Sequence, residues 1–331
     1  MPSHGRPRTG RQLRAVVLTL VVVLVSAAVR LGAWHSHSHE IAAKAAVHSM
    51  PADTPEFFRL ADEELAYVCN DPDRWRANNA DPTLRALDFP NHWFQLERSP
   101  GPLPKTRYEF VTALSAAGKL GPGKGTMLDY GTAPYAIVEH AEMLTETLRL
   151  WRRAPTVSAR DTLRKHQIEG NVLQAGGLLC HYLTDIAQPL HTSIHLFSWN
   201  RSFPNPKGYK PADIHRTIES FADDCVLHQQ FTESHVARRV TRHRPIGDWM
   251  SETVKQIQAS NKLAERVYAL EQKGGLKTCA AGSEGALFIE NRLAVAAALL
   301  RDVWHSAWVK SGMPPAPEPP PARSARAGRT H

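Results

Sequence analysis

Residues 159–188 read ARDTLRKHQIEGNVLQAGGLLCHYLTDIAQ, and Pro189 follows at once. The apolar positions recur at helical spacing, enough for one helix or two, and the proline breaks or kinks the run where it falls. Near the end stand His181 and Asp185, four residues apart. On a helix that spacing puts an imidazole and a carboxylate on one face, a turn apart, as a shared metal ion requires. His191 comes just beyond the proline.

Outward from this stretch the pattern stays helical. Residues 38–50, 54–69, 133–154, 212–231, 247–272 and 283–310 carry apolar residues at helical spacing. Thr54 with Pro55 offers an N-cap and a first-turn proline for the second of these. No run alternates strongly enough to demand a sheet. The expected fold is all-α: a single multi-helix domain over residues 34–311, without repeats or a second domain. The connections at 70–106 and 192–211 are long and rich in Pro, Asn and Asp. Long loops in a compact helical domain usually carry function.

The ends differ from the body. Arg6, Arg8, Arg11 and Arg14 precede the apolar run AVVLTLVVVLVSAAV at 15–29. That order suits a signal segment over residues 1–33, cut after Ala33, and the run is short for a membrane span. The body is therefore expected to be secreted or periplasmic; left uncut, the segment would anchor it to the membrane. From Gly312 the chain is Pro- and Arg-rich, and residues 312–331 are expected to be a disordered tail. The five arginines of residues 1–33 and the net two charges of residues 313–331 take up most of the formal +8, leaving the body at about +1. Global charge thus gives no argument for a polyanionic partner. Cys69, Cys180, Cys225 and Cys279 fit an oxidising compartment and allow one or two disulfides, whose pairing the sequence leaves open. Without a CxxC pair, a cysteine zinc site is not expected. No obligate protein partner is evident, and a monomer is expected.

A second pair, His215 and Glu219 in IHRTIES (214–220), repeats the spacing of four. A single such pair is usually a solvated helix face. Two pairs with His191 between them weigh against that reading. Upstream, Trp34 is followed by His39, NDPDRWR (70–76) offers Asp73, and PNHWFQLE (90–97) offers His92.

HYLTDIAQPLH (181–191) resembles the signature of the zinc-dependent phospholipase C / S1-P1 nuclease superfamily, and the other residues follow in the superfamily's order over about residues 34–310. The resemblance implies a secreted all-α phosphodiesterase with three zinc ions. Asp73, His92, His181 and Asp185 would hold the first. His191, His215 and Glu219 would hold the second and leave positions for water. Trp34, through a free amine and its carbonyl oxygen, would hold the third with His39 and Asp185, so that Asp185 bridges two ions. That amine exists only if the Ala33–Trp34 bond is cut. Asp73 would also orient or deprotonate the nucleophile. Asp81 and Asp88 lie in the same loop as alternatives; Asp73 is preferred because PDRWR is similar to the superfamily's Asp-x-x-Arg stretch.

The resemblance implies a phospholipid or a single-stranded nucleic acid or nucleotide as substrate. The HxxxE pair and the absence of a Gly-Gly-Asn stretch in 192–211 lean toward the phospholipase C branch. An S1/P1-type nuclease or 3′-nucleotidase is the alternative, and a non-catalytic exported protein with structural zinc or none is the lesser one. His35, His37, His140, His166 and His195 receive no role. Trp75 and Trp93 could line a cleft, with core packing the expectation for each.

Overall fold

A computed structural model of the chain describes residues 36–314, apart from residues 78, 100, 211 and 212. The expected signal segment, Trp34 and all but the first three residues of the tail lie outside the described residues. In chain order the helices are α1 (Ser36–His48), α2 (Glu56–Arg59), α3 (Asp62–Cys69), α4 (Asp71–Arg76), α5 (Pro82–Asp88), α6 (Arg107–Ala116), α7 (Ala133–Arg153), α8 (Ala159–Ala187), α9 (Ile214–Leu227), α10 (Glu233–Arg239), α11 (Trp249–Asn261), α12 (Ala264–Gln272) and α13 (Glu284–Ser311). The fold is all-α. Among the described residues, strand-like pairing is confined to isolated bridges, Phe94 with Gly131 and Leu120 with Gly125.

The 159–188 stretch forms a single helix. A capping box starts it: Ser158 accepts from the Asp161 amide, and Asp161 accepts from the Ser158 amide in return. Every residue from Ala175 to Ala187 is buried, which makes the second half of α8 the axis around which α1, α3, α7 and α13 pack. Gly177 lets α3 approach closely, since a Cβ there would lie 2.5 Å from the Cβ of Val68. Trp304 of α13 donates its indole N–H to the Gly176 carbonyl at 3.1 Å and packs edge-on against Phe58. The helix ends at Gln188, which turns to extended backbone before Pro189. The carbonyl of Ala187 then accepts from the buried Arg292 Nε at 2.9 Å. A cation at the negative end of a helix satisfies a carbonyl that has no partner within the helix.

Several expectations need correction. Residues 54–69 form α2 and α3, divided at Leu60–Ala61, and Pro55 rather than Thr54 occupies the N-cap position of α2. Residues 247–272 likewise divide into α11 and α12 around Lys262 and Leu263. The expected loop at 70–106 contains α4, α5 and 3-10 turns at Phe89–His92 and Leu96–Arg98. Helices α6 and α10 were not anticipated. The second expected loop stays irregular after the 3-10 turn Pro189–Thr192, up to α9. No helix among the described residues is long and apolar enough to cross a membrane.

Candidate metal centre

The buried face of α8 presents His181 and Asp185, both fully buried. Three other pieces of chain bring polar groups to them. Helix α4 supplies Asp73, the 3-10 turn before Trp93 supplies His92, and α1 supplies His39. The His92 turn is pinned from two sides: the Phe94 amide donates to the His191 carbonyl at 2.8 Å, and the Ala133 amide to the Trp93 carbonyl at 3.1 Å. Gly131 permits this second contact. It has φ of +78°, and a Cβ there would fall 2.0 Å from the Trp93 carbonyl oxygen.

In the first cluster His181 Nε2 and His92 Nδ1 are 2.9 Å apart. Asp185 Oδ2 lies 3.0 Å from His92 Nδ1 and 3.3 Å from His181 Nε2. Asp73 Oδ1 lies 3.7 Å from His92 Nδ1 and 3.6 Å from His181 Nε2. Ligands about 2.0–2.2 Å from one tetrahedral ion are separated from each other by about 3.3–3.6 Å. The separations here run from 2.9 to 3.7 Å, two of them tighter than that, so a shared ion would spread His92 slightly from His181 and Asp185. The far nitrogens are already engaged. His181 Nδ1 contacts the Cys69 carbonyl at 2.7 Å, and His92 Nε2 contacts Asp88 Oδ2 at 2.9 Å. An imidazole that donates from one nitrogen aims a lone pair from the other. The Tyr182 hydroxyl in turn donates to Asp88 at 2.5 Å.

The second cluster joins the 3-10 turn after Pro189 to α9. His191 Nε2 lies 3.0 Å from Glu219 Oε1 and 2.9 Å from His215 Nε2, and His215 Nε2 lies 3.0 Å from the same oxygen. His191 Nδ1 contacts the His92 carbonyl at 2.5 Å, so the two clusters share a wall. Gln188 donates to Glu219 at 3.3 Å. Beside His215 stands Phe197, half exposed, with ring centroids 5.3 Å apart.

A third set of atoms lies on the other side of Asp185. His39 stacks on His181 with ring centroids 4.2 Å apart, and its Nε2 is 3.6 Å from Asp185 Oδ1. Both His39 nitrogens and Asp185 Oδ1 are buried without a hydrogen-bond partner among the described residues. Orphaned buried polar atoms are costly, and an ion between His39 Nε2 and Asp185 Oδ1 would satisfy those two. Asp73 with His92 and His181, and His191 with His215 and Glu219, are each spaced so that they could hold a metal ion. His39 groups in the same way with His181 and the thiol of Cys69, a residue type not expected at a metal site from the sequence.

The electrostatics follow from burial and mutual proximity. Burial pushes the Asp185 carboxyl up, but His191 and His181 outweigh it and hold it well below the ordinary carboxylate range. For Asp73, burial is likewise outweighed by Arg76, whose Nε donates at 2.6 Å, and by the nearby histidines. Glu219 is held down by His215 and His191 against its burial. His191 is raised to about 9: burial lowers it, and Asp185 and Glu219 raise it by more. His39 is lowered to about 3, chiefly by burial. The centre thus gathers carboxylates that the surrounding histidines hold toward their ionised forms against the effect of burial.

Of the residues singled out from the sequence, Asp73, His92, His181 and Asp185 converge in one cluster. His191, His215 and Glu219 converge in another, and His39 adjoins Asp185. Trp34 lies outside the described residues. Asp81 caps α5 through the Thr83 amide, and Asp88 meets the outward nitrogen of His92. Among these three carboxylates of the early loop, Asp73 is the one that faces the ligand atoms. Trp93 is buried, with its indole donating to the Leu128 carbonyl. His195 stacks on Trp199 and accepts from the Asn200 amide. The orienting groups Asp88, Gln188 and the Cys69 carbonyl were missed from sequence; only Asp88 left a trace there, its spacing of four before His92.

The comparisons with known proteins assign nothing. The chain matches no protein-family model and no curated protein.

Proposed function

We propose that the protein is an exported zinc-dependent phosphodiesterase of the phospholipase C / S1-P1 nuclease type. One observation carries this reading. Two buried His/carboxylate clusters stand wall to wall, and the Asp185 carboxylate directs one oxygen to His92 and His181 and the other to His39. A donor set of imidazoles and carboxylates suits zinc. Asp73, His92, His181 and Asp185 would hold one ion; His191, His215 and Glu219 a second; and His39 with Asp185 and the Trp34 terminus a third. When bound, such ions neutralise phosphate charge, bring the pKa of a bound water toward neutrality and stabilise the leaving oxygen.

The residues of the chain do the positioning. Asp88 and the Cys69 carbonyl fix the imidazole orientations of His92 and His181. Arg76 keeps Asp73 ionised, ready to orient the nucleophile, and by the same bond makes it a weak base. His215, the most exposed ligand of the second cluster, is where an entering phosphate would meet that cluster. Structural zinc sites use all four positions for protein ligands, whereas the second cluster offers three, which supports catalysis over a purely structural role. The Cys225–Cys279 disulfide supports an oxidising compartment.

The HxxxE pair, His215 with Glu219, favours a phospholipid as substrate. The exposed Phe197 ring beside His215 supports a second reading, since a flat aromatic next to the centre can stack a nucleobase. The purified mature protein should be assayed on phosphatidylcholine, single-stranded DNA or RNA and a 3′-nucleotide, each with and without chelator. Chelator-sensitive release from phosphatidylcholine alone supports the first reading, and release from nucleic acid or nucleotide alone supports the second. Activity on none of them, in protein loaded with zinc, would refute both.

A further inference from the structure

The two cysteines outside the Cys225–Cys279 disulfide meet behind the first cluster. Cys69 ends α3 and Cys180 lies on α8; both are fully buried, and their sulfurs are 2.6 Å apart. Non-bonded heavy atoms pack at about 3.5–4.0 Å, whereas disulfide sulfurs are joined at about 2.05 Å. Two thiols do not rest at 2.6 Å by packing alone. The approach is built into the helices, because Gly177 removes the side chain that would strike Val68, one residue before Cys69. Neither cysteine is remote from the centre. The carbonyl of Cys69 holds His181 Nδ1, Cys180 directly precedes His181, and Asp73 follows Cys69 by four residues.

We infer that Cys69 and Cys180 form a second disulfide, which locks the α3–α4 segment carrying Asp73 onto the turn of α8 carrying His181. The oxidant is the disulfide of an external thiol oxidoreductase. A thiolate of one cysteine attacks that disulfide, forming a mixed disulfide and releasing one oxidoreductase thiolate. The thiolate of the other cysteine then attacks the protein sulfur of the mixed bond and expels the second. Two protein thiols are oxidised to one disulfide, two electrons pass to the oxidant, and the two protons leave with its thiols. Because both sulfurs are fully buried, the exchange belongs to the folding chain, before α3 closes on α8. Afterwards the bond is shielded from reductant. Its 111-residue separation closes a long loop, the case in which a cross-link restricts the unfolded chain most.

Full-length protein exported by its host into an oxidising compartment should be denatured in an alkylating agent without reductant, digested and mapped by mass spectrometry. The expected result is no alkylated cysteine and two cross-linked pairs, Cys69–Cys180 and Cys225–Cys279. Alkylated Cys69 and Cys180 would overturn the inference. So would a cross-link from either to Cys225 or Cys279, or thiols that react only after chelation, which would mark Cys69 as a metal ligand alongside His39 and His181. The mapping needs neither metal nor substrate, so its outcome is independent of the proposed activity. A Cys69→Ser, Cys180→Ser double variant should melt several degrees lower and bind the buried metal ion several-fold more weakly; unchanged values for both would show that the bond locks nothing.

Discussion

The two clusters use the same chemistry in different surroundings. Asp73, His92, His181 and Asp185 come from three separate segments and lie behind α8, with Asp185 and His181 fully buried. His191, His215 and Glu219 come from one turn and one helix; His215 is 12% exposed, as Asp73 is in the first cluster, and stands beside the exposed Phe197. The first cluster, with four ligands and with Asp88 and the Cys69 carbonyl fixing two of them, is suited to retain an ion. The second cluster, with three ligands in place of four, is suited to share an ion with a substrate. Asp185 belongs to the first cluster, yet its second oxygen also reaches within 3.5 Å of His191, so the two are coupled.

The largest expected effect tests that coupling. Asp185→Asn removes the bridging charge, and the variant should lose at least two metal ions by elemental analysis and at least about a hundredfold in activity, the upper end of what loss of even an orienting partner costs. Full metal content in this variant would break the comparison. Glu219→Gln should separate the clusters: the second cluster's ion is lost, the first cluster's is kept, and activity falls by about a hundredfold. Asp88→Asn should weaken only the first site, by about 10–100-fold in a chelator competition, because the amide no longer polarises His92.

The second cluster should also be pH-dependent. His191 has a metal-free value of about 9 against an ordinary 6.5. In the metal-free protein its proton contributes stability that is fully present below pH 6.5 and is lost as the pH rises through 9. A metal ion must displace that proton, so affinity at the second cluster should fall by up to about tenfold for each pH unit below 9. Titrations at two pH values that give equal affinity would contradict this. The smallest expected effect belongs to Phe197→Ala. Metal content should be unchanged, and kcat/KM on a nucleic acid should fall by about fivefold or more if the ring stacks a base worth at least about 1 kcal/mol. An unchanged kcat/KM on nucleic acid would leave the phospholipid reading favoured.

The parts of the centre on helices were legible because spacing of four fixes a face: His181 with Asp185, and His215 with Glu219. What came from loops was less so. Composition does not separate Asp73, Asp81 and Asp88; the resemblance of PDRWR favours Asp73, and the fold is what turns it toward the ligand atoms. The break between α2 and α3 left no trace because Phe58, Ala61, Leu65 and Cys69 are all buried and keep helical phase across it. Helix α6 buries just Phe110 and Leu114, too few to raise a periodic signal; its capping box, Thr106 with Glu109, was the readable sign. The paired thiols of Cys69 and Cys180 depend on the approach of α3 to α8, which no local pattern encodes.

The most direct test is elemental analysis of the purified protein, with activity followed on the same sample. A trinuclear phosphodiesterase predicts about three zinc ions per chain, loss of phosphodiester hydrolysis in chelator and its return with zinc. A folded protein that carries no zinc, or one whose hydrolysis survives complete removal of metal, would contradict it.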